Sequence, residues 1–365
     1  MNLYIHIPFC ISRCNYCGFY SESADHGFIN SDFPKLLQTE IQLRDKADVS
    51  PKTIYLGGGT PSQLGAGGIS ALFKNLPHPQ PGAEITMELN PADVTPELAQ
   101  AMFSCGVTRV SMGAQSFDNA CLSFLGRRHR ASDISRAVST LCHAGFSNIS
   151  LDLIAAVPGF DSDSLRHSLE QALTLSPKHI SVYALSIEEG TPLAHDVATG
   201  TVHPLPDDEV LEQLAVAESA LCHAGMRRYE ISNYAFEGFE CRHNLGVWRG
   251  EDYVGIGPAA ATREGTVRRL NYPDLQRWRE ALESGVLPPA QIETLSREED
   301  DLERFTTRLR LAEGQSADSA TALGRERLET FRRLEKIGVV ELLESGTYAL
   351  TPRGMEVADA VMAEF

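Results

Sequence analysis

Short runs of β-forming residues recur along the chain, and this recurrence limits the possible folds more than any other feature of the sequence. The runs cover residues 3–7, 53–56, 85–89, 109–112, 149–153 and 179–185, and most of the segments between them have helix-like patterns. Strands that alternate with helices are typical of parallel βα units. In a (β/α) barrel, active sites lie at the carboxyl ends of the strands. The sequence therefore predicts an α/β barrel whose site residues follow these runs.

A different pattern begins after Pro288 and Pro289. Residues 296–311 and 323–337 are predicted helices, and residues 339–350 are a predicted two-stranded wing that turns at Ser345 and Gly346. Such a winged-helix-like α+β domain often binds DNA, but residues 291–365 contain ten Lys or Arg and sixteen Asp or Glu. This acidic balance opposes phosphate binding. We expect the domain to pack against the barrel or against a partner protein.

Charge and hydropathy limit the binding partners and the location. The formal net charge is −17, and a surface of this sign repels nucleic acid and anionic lipid. The sequence has no signal peptide pattern and no apolar run of the roughly 20 residues that a membrane span needs. We therefore expect a cytoplasmic protein without a membrane span. Its eight cysteines should remain reduced there, so clustered ones are better candidates for metal ligands than for disulfides.

Three of these cysteines, Cys10, Cys14 and Cys17, have C-x3-C-x2-C spacing directly after the first predicted strand. A tight loop of this kind can direct three thiolates at one polynuclear centre. A [4Fe–4S] cluster held by three cysteines keeps one iron open to an added ligand, whereas structural zinc almost always takes four protein ligands. The spacing favours the cluster, with zinc and unrelated thiols as the alternatives.

Glycines and isolated polar residues follow the next predicted strands. Gly57, Gly58 and Gly59 precede Thr60, and glycines allow a backbone to approach a ligand closely. The same loop is also consistent with a tight βα turn. Polar residues interrupt or follow the apolar runs at Glu88, Gln115, Arg127 and Asp152. Each one alone is consistent with a structural role at a strand end. Together they indicate a pocket for a ligand that carries cationic and hydroxyl groups.

The cysteine spacing and the strings LYIHIPFC, IYLGGGTPS, EITMELNP, MGAQSFD, LGRRH, LDLIAAVPG, YEISNYA and HNLGVW resemble the radical S-adenosylmethionine (SAM) superfamily. Within it they are similar to the oxygen-independent coproporphyrinogen III oxidase-like branch, and most of all to HemW-type heme chaperones. The resemblance implies a partial (β/α)6-type barrel and a cluster ligated by Cys10, Cys14 and Cys17. It also implies that SAM chelates the open iron and can be cleaved to a deoxyadenosyl radical. The SAM contacts implied in this way are Tyr4, Tyr16, Gly58, Gly59, Thr60, Glu88, Gln115, Arg127 and Asp152.

One position separates the chaperones from the oxidases. In the oxidases a fourth cysteine follows the third by two residues, and this chain has Phe19 there. Coproporphyrinogen oxidase activity is therefore disfavoured. The resemblance implies a heme chaperone that passes heme to an acceptor protein such as a membrane respiratory enzyme. A radical SAM enzyme acting on a porphyrinogen or another small molecule is the alternative, and so is a zinc protein.

The heme ligand that the resemblance suggests is His243, in the string HNLGVW, where the family usually has Tyr in place of Val247. Imidazole is a common axial ligand of heme iron. Trp248 is a candidate to stack on the macrocycle, and Arg242 or Arg249 is a candidate to contact its propionates. A local hydrogen-bonding role for His243 is the alternative. We expect a barrel over residues 1–240, a barrel extension with the heme candidate over 241–290, and the winged-helix-like domain over 291–365. A homodimer is possible, and the sequence does not identify the acceptor.

Overall fold

The computed structural model describes residues 1–23, 26–317 and 321–365, and its centre is a twelve-stranded mixed sheet. The strands are β1 Asn2–Ile7, β2 Phe9–Cys10, β3 Glu22–Ser23, β4 Thr53–Gly58, β5 Glu84–Leu89, β6 Arg109–Gln115, β7 Ile149–Ala155, β8 His179–Ala184, β9 Arg227–Arg228, β10 Asn233–Ala235, β11 Tyr253–Ile256, β12 Ala261–Glu264, β13 Val267–Asn271, β14 Ala290–Thr294, β15 Val340–Leu342 and β16 Tyr348–Leu350.

The predicted runs form the parallel part of this sheet. β1 pairs with β4, and parallel pairing continues through β5, β6 and β7 to β8. A further parallel strand, β11, lies on the other side of β1 and was not predicted. Antiparallel strands extend both edges, β12 to β14 beyond β11 and β10 with β9 beyond β8.

Helices connect most of the parallel strands. They are α1 His26–Ser31, α2 Phe33–Leu43, α3 Gly65–Phe73, α4 Pro96–Ser104, α5 Asn119–Phe124, α6 Ala131–Ala144, α7 Ser162–Thr174, α8 Pro192–Ala198, α9 Asp207–His223, α10 Arg242–Trp248, α11 Leu275–Glu283, α12 Arg297–Arg308, α13 Ala322–Lys336, α14 Pro352–Glu356 and α15 Ala358–Met362. Local chemistry defines several of their ends. The Thr95 side chain caps α4 by accepting a hydrogen bond from the Leu98 N–H, and α6 ends at Gly145 with a left-handed φ of 108°.

The parallel strands alternate between two kinds of side chain. Leu3, Ile5 and Ile7 of β1 belong to the same buried hydrophobic cluster as Leu98 of α4 and Leu141 of α6. The intervening residues of these strands point to the opposite face, because successive side chains of a strand alternate. That face is largely polar. The helices therefore cover an apolar outer face, and the concave inner face can bind a polar ligand.

The carboxyl-terminal region contains α12, α13, the β15–β16 hairpin, α14 and α15. Its side chains form a second hydrophobic cluster, in which the rings of Phe331 and Tyr348 stack with centroids 4.5 Å apart. Arg263 of β12 forms ion pairs with Asp300 and Glu303 of α12 and so links this region to the sheet. The winged-helix description and the proposed domain boundaries remain predictions.

Candidate functional site

A cavity of about 580 Å³ lies on the concave face of the parallel strands. It extends from the cysteine loop and Gln115, at the end of β6, down to Arg109, at the start of the same strand. The predicted cluster ligands and all the predicted SAM contacts except Tyr4 line it. The sequence motifs are thus brought together at one place, as expected for residues at the carboxyl ends of parallel strands.

The cysteine loop forms one wall of the cavity. Cys10, Cys14 and Cys17 are free thiols, and burial raises the pKa of Cys17. Backbone and side-chain hydrogen bonds from Asn15 to the carbonyls of Leu125 and Phe124 hold the loop against the end of α5. Across the 1–23, 26–317 and 321–365 ranges, no three His, Cys, Asp or Glu side chains form a group suited to a single metal ion.

Polar groups also reach two of the cysteine sulfurs. The Thr60 hydroxyl lies 3.4 Å from Cys10 Sγ, and Arg127 Nη1 donates to Cys14 Sγ over 3.3 Å. Hydrogen bonds to sulfur and nearby positive charge stabilise thiolates and tune iron–sulfur clusters. The donor set therefore has the chemistry that a thiolate-ligated cluster requires.

The glycine loop forms a second wall, and its conformation requires glycine. Gly58 has a φ of +107°, and a Cβ added there would lie 2.5 Å from the His6 ring. A Cβ on Gly59 would lie 2.9 Å from the Ile7 carbonyl oxygen and from the Phe9 backbone. The glycine loop lies this close to residues 7–9 because Gly59 N–H donates to Ile7 O and Thr60 N–H donates to Phe9 O. The loop thus continues the pairing of β4 with β1 and positions Thr60 beside Cys10.

We expect Gly59→Ala to destabilise the protein by about 1–3 kcal/mol, since the new methyl group would force apart backbone atoms that cannot move independently. Gly67→Ala is the matched control, because a Cβ on that helical glycine meets no atom within 4 Å and alanine favours a helix by about 0.8–1.0 kcal/mol over glycine. Urea unfolding followed by circular dichroism measures both effects. Equal stability of the two variants would contradict this interpretation of the glycine loop.

Glu88 is half-buried on the inner face of β5. Tyr55 Oη donates to Glu88 Oε1 over 2.8 Å, and Gly58 N–H donates to Oε2 over 3.3 Å. Burial outweighs these hydrogen bonds and raises the pKa of Glu88 to about 7, with a further contribution from the charge of Asp152. A cationic ligand group would favour the ionised carboxylate.

Asp152 on β7 is surrounded by hydroxyl groups. Ser181 Oγ donates to its carboxylate over 2.7 Å, and Ser111 Oγ lies 3.2 Å from both carboxylate oxygens. Burial nevertheless raises the pKa of Asp152. These serines fix the orientation of the carboxylate, and Asp152 lines the cavity.

Arg127 and Gln115 lie near the cysteine loop. Arg127 Nη2 donates to Gly113 O over 2.7 Å, while its Nε is buried without a hydrogen-bond partner in the described chain. Gln115 has a φ of 66° at an irregularity in the pairing of β6 with β7, a conformation that non-glycine residues rarely adopt. Strained residues of this kind cluster at ligand sites. Tyr16 lines the same part of the cavity, and burial raises its pKa.

Tyr4 is placed differently from the other predicted SAM contacts. Its hydroxyl lies 3.1 Å from His6 Nδ1, and it is not among the residues that line the cavity. His6 Nε2 in turn lies 3.2 Å from Tyr20 O. Tyr4 therefore supports the inner face beneath the ligand space.

His243 lies at the other end of the parallel strands, in α10. The residue is 5% exposed, its ring centroid lies 5.0 Å from that of Tyr55, and its Nδ1 lies 2.8 Å from Thr53 Oγ1. The Thr53 hydroxyl donates to Asn2 Oδ1, so it must accept from His243, which places the ring proton on Nδ1 and a lone pair on Nε2. Burial lowers the pKa of His243 to about 4, so the ring is neutral at pH 7.

The other predicted heme-contacting groups already have protein partners. The Arg310 guanidinium lies 4.4 Å from the centre of the Trp248 ring. Arg249 forms two hydrogen bonds with the Glu313 carboxylate. Arg242 Nη1 donates to Gly82 O over 2.7 Å. Both arginines and one face of Trp248 are thus engaged by other protein groups.

Sequence reasoning missed several polar residues of the inner face. Tyr55, Arg109, Ser111 and Ser181 line the cavity, but none of them was predicted as a site residue. The signal that identifies them is the two-residue period of β4 to β8, which places them on the same face as Glu88 and Asp152.

Phe19, at the position of the oxidases' fourth cysteine, lies at the cavity wall and is 68% exposed. A phenyl group has no donor atom for iron. The loop from Cys10 to Phe19 therefore contains three cysteine ligands and not four. None of the helices in the described part of the chain is long and apolar enough to cross a membrane.

Comparison with known proteins identifies the family of this chain. The radical SAM superfamily model matches residues 4–172. The protein named heme chaperone HemW from Mycobacterium tuberculosis H37Rv is 35% identical over 368 residues, covering 99% of this chain and 93% of that protein. The protein of the same name from Bacillus subtilis 168 is 31% identical over 376 residues, covering 99% and 98%.

A solved structure shares the fold. It is described as coproporphyrinogen III oxidase (HemN) from Escherichia coli, a radical SAM enzyme, and it superposes with a TM-score of 0.83. The match covers 100% of this chain and 89% of that one at 20% sequence identity. The predicted α/β radical SAM fold is thereby confirmed.

Proposed function

The chain belongs to the radical SAM superfamily and to its HemW family, and we propose that it is a heme chaperone that binds heme, transfers it to an acceptor protein, and carries a three-cysteine [4Fe–4S] cluster with exchangeable SAM. The observation that carries this proposal is the convergence of the cysteine loop, the glycine loop, Glu88 and Asp152 on one cavity. Such convergence is expected of a cofactor site and is not needed to fold the barrel.

The residues of the cavity fit the cluster and SAM chemically. Cys10, Cys14 and Cys17 would ligate three irons, and the fourth iron would accept the amino and carboxylate groups of SAM. The unpartnered Nε–H of Arg127 is suited to an anionic group, and Glu88 to a cationic one. Asp152 and Gln115 would accept or donate hydrogen bonds at the ribose. When bound, the cluster supplies single-electron chemistry, while these residues orient SAM and shield it from water.

We expect SAM affinity to depend on pH through Glu88. Its pKa of about 7 means that the carboxylate becomes protonated as the pH falls, and protonation removes its attraction for a cationic group. Between pH 8 and pH 6 the affinity should fall roughly tenfold, as the ionised fraction does for a pKa of about 7. Calorimetric titration of the reconstituted protein with SAM measures this change. Glu88→Gln should bind SAM more weakly and without the pH dependence, and a dependence that persists in this variant would contradict the assignment.

His243 is the proposed heme ligand. Its neutral ring and the lone pair on Nε2 support this role, because iron binds the unprotonated nitrogen of imidazole. A hydrogen bond from the other ring nitrogen, here to Thr53, is the usual way to orient such a ligand. Because the ring is buried, heme would reach Nε2 only after α10 moves away from the barrel.

The competing function is radical catalysis on a porphyrinogen. Phe19 in place of a fourth cysteine argues against the oxidase reaction. To distinguish the two, the anaerobically reconstituted protein is assayed for iron, sulfide and heme binding, and then for heme transfer to apomyoglobin as a generic acceptor. In parallel, the reduced protein is incubated with SAM and coproporphyrinogen III. We expect heme transfer without protoporphyrinogen formation, and the converse result would establish the catalytic alternative.

A further inference from the structure

Arg109 is a buried cation that has no assigned role in the proposed cluster and SAM sites. It is the first residue of β6, it is 2% exposed, and it lines the deep end of the cavity. Its Nε is buried without a hydrogen bond to any described residue. None of the carboxylates in the described ranges forms an ion pair with it, although Arg109 remains charged at every physiological pH.

The acidic groups nearest to Arg109 are occupied by other donors. Glu88 accepts from Tyr55 and Gly58, and Asp152 accepts from serines. Glu84 accepts from the backbone N–H groups of Arg242 and His243 at the start of α10. The charge of Glu84 therefore acts on Arg109 through space, without an ion pair between the two side chains.

A second polar group at this end lacks a hydrogen-bond partner among the described residues. Thr86 is the register neighbour of Arg109 on β5, and its Oγ1 is buried without a hydrogen bond to described residues. Asn244 of α10 is half-buried and lines the same cavity. A guanidinium and a hydroxyl that are buried, adjacent and unsatisfied indicate a ligand-binding space, because buried polar groups in proteins are normally paired.

The energetics favour an anion in this space. Burying an unpaired charge costs several kcal/mol, and an incoming anion would offset that penalty by pairing with the guanidinium. The planar guanidinium matches a carboxylate with two parallel hydrogen bonds. The nearby Tyr55 and Cys241 side chains stay protonated, because burial raises their pKa values, and so cannot supply the counter-charge.

We propose that the deep end of the cavity binds the carboxylate of a second ligand, with Arg109 as its anchor, in addition to SAM at the cysteine end. Two sources have this chemistry: a small aliphatic carboxylic acid and a propionate side chain of heme. Heme as the ligand depends on the proposed function, whereas a small carboxylic acid as the ligand does not.

The test uses the reconstituted protein and pairs of ligands in which a carboxylate is replaced by a neutral amide or ester. Sodium propionate is compared with propionamide at equal ionic strength, by the shift that each causes in the thermal unfolding midpoint. Hemin is compared with hemin dimethyl ester by absorbance titration. The variants are Arg109→Gln and Arg227→Gln, the latter removing an exposed arginine as the matched control for the loss of one charge.

If propionate stabilises the wild type and Arg227→Gln more than propionamide does, and Arg109→Gln abolishes the difference, the site takes a small acid. If hemin binds at least about tenfold more tightly than its ester and Arg109→Gln removes that preference, the source is heme. No charge preference in the wild type, or a preference that survives in Arg109→Gln, overturns the proposal. If hemin does not bind at all, the heme proposal fails, and the propionate comparison still tests Arg109.

The unliganded stability of Arg109→Gln separates a binding role from a structural one. An unpaired buried cation destabilises the empty protein, so its removal should leave the unfolding midpoint unchanged or higher. A lower midpoint would instead show that Arg109 holds the barrel together. The comparison of charged and neutral ligands on the wild type remains decisive in that case, because it requires no variant.

Discussion

Cys14→Ala is expected to lose the iron–sulfur cluster. Removing one of three thiolates would expose a second iron to solvent, and the cluster chemistry requires thiolate ligands. The loss should be large: iron and sulfide well below four of each per chain, no broad visible absorbance after anaerobic reconstitution, and no measurable SAM binding at concentrations that saturate the wild type. Metal analysis, acid-labile sulfide determination and absorbance spectra give the result.

Cys142→Ala is the matched control for this experiment. Cys142 is an exposed free cysteine on α6 and has no place at the cavity. This variant should retain iron, sulfide and SAM binding at the level of the wild type. A full iron complement in Cys14→Ala would exclude Cys14 as a cluster ligand, and zinc without iron or sulfide in the wild-type protein would exclude the cluster altogether.

His243→Ala is expected to lower the affinity for heme by at least about tenfold, which corresponds to about 1.4 kcal/mol, because it removes the proposed axial nitrogen. The Soret band of the complex should shift as the ligand changes. Iron, sulfide and SAM binding should be preserved, since His243 lies at the opposite end of the strands from the cysteine loop. Absorbance titration with hemin measures the affinity, and the cluster content of the same sample reports whether the fold is intact.

The pH dependence of heme binding distinguishes this buried histidine from an exposed one. Because burial lowers the pKa of His243 to about 4, protonation competes with iron only near that pH, and affinity should stay constant between pH 6 and 8. An exposed histidine, with a pKa of about 6.5, would lose affinity over this interval. His223→Ala, which removes an exposed histidine at the end of α9, is the control. An unchanged spectrum and affinity in His243→Ala would reject the assignment.

The concave polar face explains how one barrel could hold several ligands. Arg109 is buried there, Glu88 and Asp152 are half-buried, and each would destabilise an ordinary apolar core. The hydroxyls of Tyr55 and Ser181 satisfy the two carboxylates. Two buried groups without a hydrogen-bond partner among the described residues, Arg127 Nε and Arg109 Nε, lie at opposite ends of the cavity. We therefore expect ligands to bind at both ends.

The sequence predicted the parallel strands well, because each one is a short β-rich run separated from the next by helix-like residues. It missed β11, which has few residues and is surrounded by turn signals, and whose pairing with β1 depends on chain segments about 250 residues apart. The antiparallel strands on both edges were missed for the same reason. Propensity describes local segments, whereas strand partners are chosen by the packing of the whole sheet.

The sequence by itself determined which residues could carry the chemistry: the cysteine spacing, the glycine loop and the polar residues after the strands are local patterns with local causes. Only the tertiary structure decided how these residues meet. It placed Tyr4 beneath the cavity, buried His243 against Thr53 at the far end of the barrel, and brought Arg109 into the same space as Glu88 and Asp152. The physical reason is that burial and hydrogen-bond partners are properties of the packed chain. A side chain's charge, proton position and accessibility depend on neighbours that are distant in sequence.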